Sequence, residues 1–193
     1  MQIIAIGDVV GRPGRQILET LLPKLHQDFR PDAIIINGEN IAGGFGISPK
    51  IYNRCIDELG ITCITTGNHW ADKRDVYEIF KQPNTLLIPE NAHNFDSQAK
   101  GWRIVTTPAG PIAVMNLIGQ VFMHSNNRCP FEAADQIISQ IPDSVKVRIC
   151  DFHGEATSEK QGMGWHLAER ASLVYGTHSH VPTMDHRIFS QHT

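Results

Sequence analysis

The sequence lacks long hydrophobic runs and an excess of positive charge, and each absence excludes a class of protein. No apolar run in the 193-residue chain approaches the length that a membrane-spanning helix needs, so we expect no membrane association. The 17 basic and 20 acidic residues give a formal net charge of -3, which provides no electrostatic basis for binding duplex nucleic acid. A small charged ligand remains compatible with this composition.

Paired cysteines and an N-terminal export signal are also missing. The four cysteines form no C-x-x-C pair, and each lies in or beside an apolar segment, as reduced thiols usually do. Asp8, Arg12 and Arg15 interrupt the N-terminal segment, so it does not resemble a secretory signal. We therefore expect a cytoplasmic protein. With 41% hydrophobic residues, the chain is long enough to form one domain over residues 1–193.

The sequence does contain an alternation of short β-like runs with helical patterns. In the first half, three apolar runs are each followed by a helical pattern: 2–7, 33–36 and 61–66. Strands that alternate with helices are typical of βαβ units and a largely parallel sheet.

The second half adds an antiparallel element. The runs at 102–107 and 111–117 are separated by Pro108-Ala109-Gly110, which predicts a hairpin. Further elements are predicted as helices at 131–140 and 158–169 and as strands at 145–150 and 173–175. The pattern as a whole predicts an α/β fold with mixed strands.

Polar residues follow the β-like runs directly, at the point where each predicted strand ends. Five clusters share this position: Gly7-Asp8, Asn37-Gly38-Glu39-Asn40, Gly67-Asn68-His69, Asp151-Phe152-His153-Gly154 and Thr177-His178-Ser179-His180. Because parallel strands present their carboxyl ends to a common edge, these side chains are expected to converge. Carboxylate, amide and imidazole groups without thiolate form a ligand set that suits a metal centre.

A pair of metal ions needs a shared carboxylate and further ligands on each side. We assign Glu39 as the bridge between the two ions. The other ligands are assigned as Asp8, Asn40 and His180 for the first ion and as Asn68, His153 and His178 for the second. Only two of these ligands are anionic, so the ion pair would keep an excess of positive charge and attract a phosphate oxyanion.

Apart from Glu39, each candidate ligand also has an ordinary structural interpretation. Asp8 could cap a helix or stabilise a turn, and the two asparagines could form Asx-turns. His153 could be a hydrogen-bonded core histidine. His178 and His180 are predicted to alternate on an extended segment and so to face the same side, although a lone His-x-His is commonly an ordinary surface pair.

The combined motif set resembles the calcineurin-like metallophosphoesterase superfamily. Its order is Gly-Asp at the first strand, an acidic residue at the second, Gly-Asn-His at the third, a later His and a closing His-x-His. Four segments closely resemble the bacterial YmdB-like branch of that superfamily: Gly7-Asp8-Val9-Val10-Gly11-Arg12-Pro13-Gly14, Asn37-Gly38-Glu39-Asn40, Asp151 to Lys160, and Tyr175 to Val181. The likeness extends from Met1 to about Met184.

This resemblance implies both a fold and an activity. The fold would be a two-sheet β-sandwich of mixed strands flanked by helices, in one metallophosphoesterase-like domain. Members of the branch act on 2′,3′-cyclic nucleotides with two iron or two manganese ions, and the ligand types are also compatible with zinc. The implied partner is a small cyclic nucleotide or another phosphodiester.

The sequence departs from the resemblance in two ways. The Asp-x-His of the wider superfamily is Asp8-Val9-Val10 here, and Asn40 would replace the missing imidazole, as in the YmdB-like branch. YmdB-like chains continue for several strands after the His-x-His motif, whereas this sequence stops at Thr193. We therefore expect C-terminal strands to be missing, which would leave an open sheet edge unless a homo-oligomer covers it.

The resemblance and the ligand set together give a mechanistic hypothesis. A hydroxide that bridges the two ions would attack phosphorus, and His69 would protonate the departing ribose oxygen as general acid. Cleavage of the 2′ bond would give a 3′-nucleotide. Two alternatives remain open at this stage: a phosphomonoesterase or protein phosphatase, and a shortened regulatory protein that binds metal and nucleotide with little turnover.

Overall fold

The computed structural model describes residues 1–124 and 126–189, which form two β-sheets flanked by helices. The strands are β1 (Ile3–Asp8), β2 (Ala33–Asn37), β3 (Cys63–Thr65), β4 (Trp102–Thr107), β5 (Gly110–Ile118), β6 (Val147–His153) and β7 (Leu173–Thr177). The helices are α1 (Gly11–Phe29), α2 (Pro49–Asn53), α3 (Val76–Phe80), α4 (Pro130–Gln140) and α5 (Thr157–His166), and a π-helical segment, Arg54–Glu58, continues α2.

The two sheets have different strand arrangements. The first sheet has the order β1-β2-β3, and both of its strand pairs are parallel. The second has the order β4-β5-β6-β7, in which β4 is antiparallel to β5 and the other pairs are parallel. The predicted α/β fold with two sheets of mixed strands and flanking helices is therefore confirmed.

Alternating side chains divide the core into layers. In β2, all five residues are buried, because one face of the strand contacts the second sheet and the other faces the helices. Ile35 packs with Ile112 and Ile149 between the two sheets, whereas Ile34 packs with Leu18 and Leu22 of α1. A strand buried on both faces is expected to be apolar along its whole length, as Ala33 to Ile36 is.

The cysteines do not contribute to the polar edge. Cys63 and Cys150 are fully buried in the core, and within the described residues all four thiols are free. Burial raises the pKa of Cys63 to about 12, so this thiol stays protonated. In the parts of the chain that the structure describes, every helix is too short or too polar to cross a membrane.

The main difference from the predicted elements is at the end of β6. The sequence pattern predicted a strand over 145–150, but β6 runs through Asp151 and Phe152 to His153. Because Asp151 and His153 are polar, a hydrophobicity pattern does not identify this segment as part of the strand. Both residues are buried in this central strand, where Asp151 pairs with Tyr175 and His153 pairs with Thr177 across the ladder to β7. The parallel register therefore brings the carboxyl ends of β6 and β7 together.

Candidate metal centre

The two predicted carboxylates lie at the carboxyl ends of neighbouring parallel strands. Asp8 is the last residue of β1 and pairs with Asn37, the last residue of β2. Glu39 follows two residues later, and its backbone N–H donates to Oδ1 of Asn37 at 3.1 Å. The side chains of Asp8 and Glu39 are 4% and 1% exposed, so both carboxylates are removed from bulk water.

The inner group of ligands surrounds Nε2 of His153, a fully buried residue. This nitrogen lies 3.2 Å from Oε2 of Glu39, 3.0 Å from Oδ1 of Asn68 and 3.1 Å from Nδ1 of His178. The ligand atoms of Glu39, His153 and His178 all lie within 4.8 Å of one another. The nitrogen of His153 and the three atoms around it can each donate a lone pair to a cation. Their convergence requires either a proton or a cation between them.

The outer group of ligands shares Glu39 with the inner one. Ligand atoms of Asp8, Glu39 and His180 lie within 4.8 Å of one another. Nε2 of His180 is 3.6 Å from Oδ1 of Asp8 and 3.1 Å from Oδ1 of Asn40. The structure therefore brings all seven predicted ligands to one edge, and only Glu39 belongs to both carboxylate-containing groups among the described residues.

The backbone reason given for the His-x-His pair was wrong. β7 ends at Thr177, and the two histidines do not alternate on an extended segment. His178 and His180 instead have φ values of 93° and 55°, a region that residues other than glycine seldom adopt. The backbone N–H of His178 also donates to the carboxylate of Asp8, at 3.1 and 3.2 Å to its two oxygens. Left-handed backbone, together with this contact, therefore aims both rings at the site.

The space in front of the inner group fits a cation. A methyl group added to Gly67 would lie 2.2 Å from Nε2 of His153 and 2.4 Å from Oε2 of Glu39, so a side chain at this position would fill the site. The oxygen and imidazole donors suit Fe, Mn or Zn, and none of the converging atoms is a thiolate. The residues present therefore fit the predicted type of metal centre.

Burial and charge shift the pKa values of the inner residues in opposite directions. Burial disfavours ionised Glu39, but the hydrogen bond and charge of His153 outweigh it and hold the pKa of Glu39 below its ordinary value. Burial likewise opposes protonation of His153, but Glu39, Asp151 and Asp8 raise the pKa of its ring. Burial, followed by the charge of His153, lowers the pKa of His178. The 3.2 Å contact between Glu39 and His153 therefore favours an ionised Glu39 beside a protonated His153, with one shared proton between them.

His69 lies at the rim of the site rather than among the inner ligands. Its side chain is 39% exposed, and Nδ1 lies 2.7 Å from Oδ2 of Asp72. Its backbone N–H donates to Oε2 of Glu39 at 3.2 Å, which ties the loop to the shared carboxylate. Because Nδ1 is paired with Asp72, Nε2 is the ring nitrogen that remains for proton exchange with a substrate.

Three partners of the predicted residues were not identified from the sequence. Asp72 contacts His69, Glu155 lies 3.2 Å from Nε2 of His178, and Asp151 is linked to His153 through Thr177. Asp72 lies three residues after His69, and Glu155 lies two residues after His153. This proximity in sequence could have identified both acids as candidates. Asp151 belongs to the same predicted cluster as His153, but the sequence did not show that Thr177 of the neighbouring strand links the two side chains.

Comparisons with known proteins show which family the chain belongs to. A family model for YmdB-like proteins matches residues 4–193. The 2′,3′-cyclic-nucleotide 2′-phosphodiesterase of Bacillus subtilis (strain 168) is 40% identical over 193 residues, which cover 100% of this chain and 72% of that protein. A hypothetical protein from Thermus thermophilus has a TM-score of 0.87 and 32% identity, covering 96% of this chain and 70% of the other. A phosphatase from Mycoplasma pneumoniae has a TM-score of 0.86 and 31% identity, covering 96% of this chain and 66% of the other. The predicted resemblance is confirmed, and this chain belongs to the YmdB-like protein family.

Proposed function

We propose that this protein is a metal-dependent phosphodiesterase that hydrolyses 2′,3′-cyclic nucleotides to 3′-nucleotides. The observation that carries the proposal is the position of Glu39, whose carboxylate belongs to both groups of metal-ligand atoms. The relationship to the Bacillus subtilis enzyme supports the choice of substrate class. The full sequence carries no excess of positive charge, which agrees with a small substrate rather than duplex nucleic acid.

The seven predicted ligands would form two sets, one for each ion. Asp8, Asn40 and His180 would hold one ion, and Asn68, His153 and His178 would hold the other, with Glu39 shared. Two ions of Fe, Mn or Zn would supply Lewis-acid stabilisation of a phosphoryl group and a lowered pKa for bound water. The buried carboxylates of Asp8 and Glu39 would hold these ions in place before substrate binds.

His69 would supply the proton that the leaving group needs. Hydrolysis adds a hydroxyl group to phosphorus and breaks the bond between phosphorus and the ribose 2′ oxygen, which then takes up a proton. In its imidazolium form, His69 would donate from Nδ1 to Asp72 and give the second ring proton, on Nε2, to the ribose oxygen. The phosphate remains on the 3′ oxygen, so the expected product is a 3′-nucleotide.

The test is an assay of metal-loaded protein with defined isomers. Protein treated with chelator and reloaded with Mn²⁺ or Fe²⁺ should hydrolyse 2′,3′-cyclic AMP faster than 3′,5′-cyclic AMP. Chromatography should identify 3′-AMP, rather than 2′-AMP, as the product. If protein that demonstrably binds metal leaves 2′,3′-cyclic AMP intact, the proposed activity is wrong.

The similarity to the Mycoplasma pneumoniae phosphatase favours one second candidate, a phosphomonoesterase. The same donor groups could orient a terminal phosphate. The metal-loaded protein should be compared on bis-p-nitrophenyl phosphate and p-nitrophenyl phosphate. We expect faster turnover of the diester, and the opposite preference would support the phosphomonoesterase.

A further inference from the structure

Beneath the proposed metal ligands lies a buried carboxylate that takes no direct part in the proposed chemistry. Asp151 is fully buried in β6, between the two sheets. Its Oδ2 accepts a hydrogen bond from the hydroxyl of Thr65 and another from Nδ2 of Asn37 at 2.9 Å. Its Oδ1 accepts a hydrogen bond from the hydroxyl of Thr177 at 2.7 Å. Residues from both sheets therefore converge on one carboxylate.

The hydroxyl of Thr177 connects this carboxylate to His153. A threonine hydroxyl has one proton, and here that proton points to Asp151. Oγ1 of Thr177 can therefore only accept from Nδ1 of His153, which lies 2.9 Å away. A neutral imidazole that carries its proton on Nδ1 must present the Nε2 lone pair to Glu39 and Asn68.

We propose that Asp151 is a positioning residue which, through Thr177, sets the ring tautomer of His153 and thereby the metal affinity of the inner group. This inference rests on the proposed function, because it assigns a role in binding the proposed ion. The opposite tautomer would direct an N–H group at the space that the cation needs. A ligating histidine generally requires a partner at its other nitrogen to hold the productive tautomer.

A second branch from the same carboxylate reaches Glu39. Asn37 donates from Nδ2 to Asp151, and this contact fixes the orientation of its amide group. Oδ1 of Asn37 then faces the backbone N–H of Glu39 and accepts its hydrogen bond at 3.1 Å. Asp151 therefore supports the shared carboxylate and the buried imidazole at the same time.

The substitution Asp151→Asn tests the tautomer directly. Thr65 and Asn37 both donate to the Oδ2 position, so the amide oxygen of Asn is expected to stay there. The NH₂ group would then donate to Thr177 from the Oδ1 position, and the Thr177 hydroxyl would turn its proton toward His153. The ring would be forced to carry its proton on Nε2.

Two measurements follow from that change. In metal-free protein labelled with ¹⁵N-histidine, in alkaline buffer where the ring is neutral, spectra should show Nδ1–H for His153 in the wild type and Nε2–H in D151N. The signal is assigned by its loss in His153→Gln. Calorimetric titration with Mn²⁺ should show about 10- to 100-fold weaker binding in D151N.

Two further variants separate positioning from general support of the fold. T177V removes the relay and should weaken Mn²⁺ binding, whereas T177S keeps the hydroxyl and should restore it. T65V removes a hydrogen bond from the other oxygen of the same carboxylate and should bind Mn²⁺ like the wild type. Circular dichroism of each metal-free variant checks that it is folded.

The outcomes distinguish this inference from the proposed function. If the wild type binds no Mn²⁺, the proposed metal function fails, while the ring spectra still report the tautomer. If the wild type binds Mn²⁺ and D151N shows the wild-type tautomer, the inference is overturned. It is also overturned if T65V loses as much affinity as T177V, since that would indicate general support by the buried cluster.

Discussion

The inner and outer halves of the site are supported in different ways. The side chains of His153 and Glu39 are 0% and 1% exposed, and their partners come from strands of both sheets. The side chains of His180 and His69 are 42% and 39% exposed, and they lie on loops. A ligand held by buried partners cannot reorient without leaving hydrogen bonds unmade, whereas solvent can replace the partners of an exposed one. We therefore expect the inner group to lose its ion less readily than the outer group, and the exposed ring of His69 to affect proton transfer rather than metal retention.

The largest expected effect comes from the residue that both halves share. Glu39→Gln keeps the size of the side chain but removes its negative charge, so both proposed ions lose a ligand. We expect hydrolysis of 2′,3′-cyclic AMP to fall by about 10,000-fold or more, and both ions to be retained poorly. Elemental analysis together with the cyclic nucleotide assay measures both effects.

Glu58→Gln is the matched control for this substitution. The Glu58 side chain is 67% exposed and pairs with Arg54 on the surface, so the same chemical change should leave activity and metal content unaltered. If Glu39→Gln keeps two ions per chain, the shared-ligand assignment is wrong and the comparison between the two halves loses its basis.

His69→Asn should affect the rim and leave the inner half intact. We expect turnover of 2′,3′-cyclic AMP to fall by about 100- to 1,000-fold, because the ribose oxygen is a poor leaving group that requires a proton. Metal content should not change, since the ring of His69 contacts Asp72 rather than the converging ligands.

The leaving group provides the control for His69. Bis-p-nitrophenyl phosphate releases a phenolate that needs little protonation, so the same variant should hydrolyse it almost as fast as the wild type. Equal losses on the two substrates would assign His69 a role in positioning or folding instead of acid catalysis.

The inner half should also give the metal-free protein a distinct pH dependence. The pKa of Glu39 lies below its ordinary value of 4.5, so its contribution to stability is present above that pH and is lost as the pH falls through the lowered pKa. The pKa of His153 lies above 6.5, so its contribution is complete below pH 6.5 and is lost as the pH rises through the raised pKa. The pair should therefore stabilise the metal-free fold most between these values.

Thermal unfolding of chelator-treated protein checks this dependence. As the pH rises above 6.5, the melting temperature of the wild type should fall relative to that of His153→Gln, because the proton shared by Glu39 and His153 is lost. Added Mn²⁺ should raise the melting temperature more in alkaline than in acidic buffer, since metal must displace that proton. Parallel curves for wild type and His153→Gln would show that the Glu39–His153 pair does not carry the effect.

The sequence was sufficient to predict which strand ends meet, but not how the side chains are held there. Asp8, Glu39 and Asn68 were identifiable because polar residues end apolar runs, and parallel strands share an edge. The link from Asp151 to Thr177 joins neighbouring strands, and its link to Thr65 crosses between sheets, so neither follows from local spacing. Positive φ values at the closing histidines were equally hidden, because they depend on long-range contacts rather than on residue preference.

The smallest expected effect comes from Glu155, a half-exposed residue beside the inner ligand His178. Oε2 of Glu155 lies 3.2 Å from Nε2 of His178, but the side chain of Glu155 is 48% exposed, so water screens its charge. Glu155→Gln removes this charge but keeps an oxygen that can lie beside Nε2, and Nδ1 of His178 still faces the inner group. We expect at most about a tenfold loss of Mn²⁺ affinity, smaller than that of D151N, where the buried amide has no freedom to choose its orientation. Calorimetric titration of the two variants side by side decides the matter: a loss in Glu155→Gln as large as that in D151N would mean that burial does not separate the two halves.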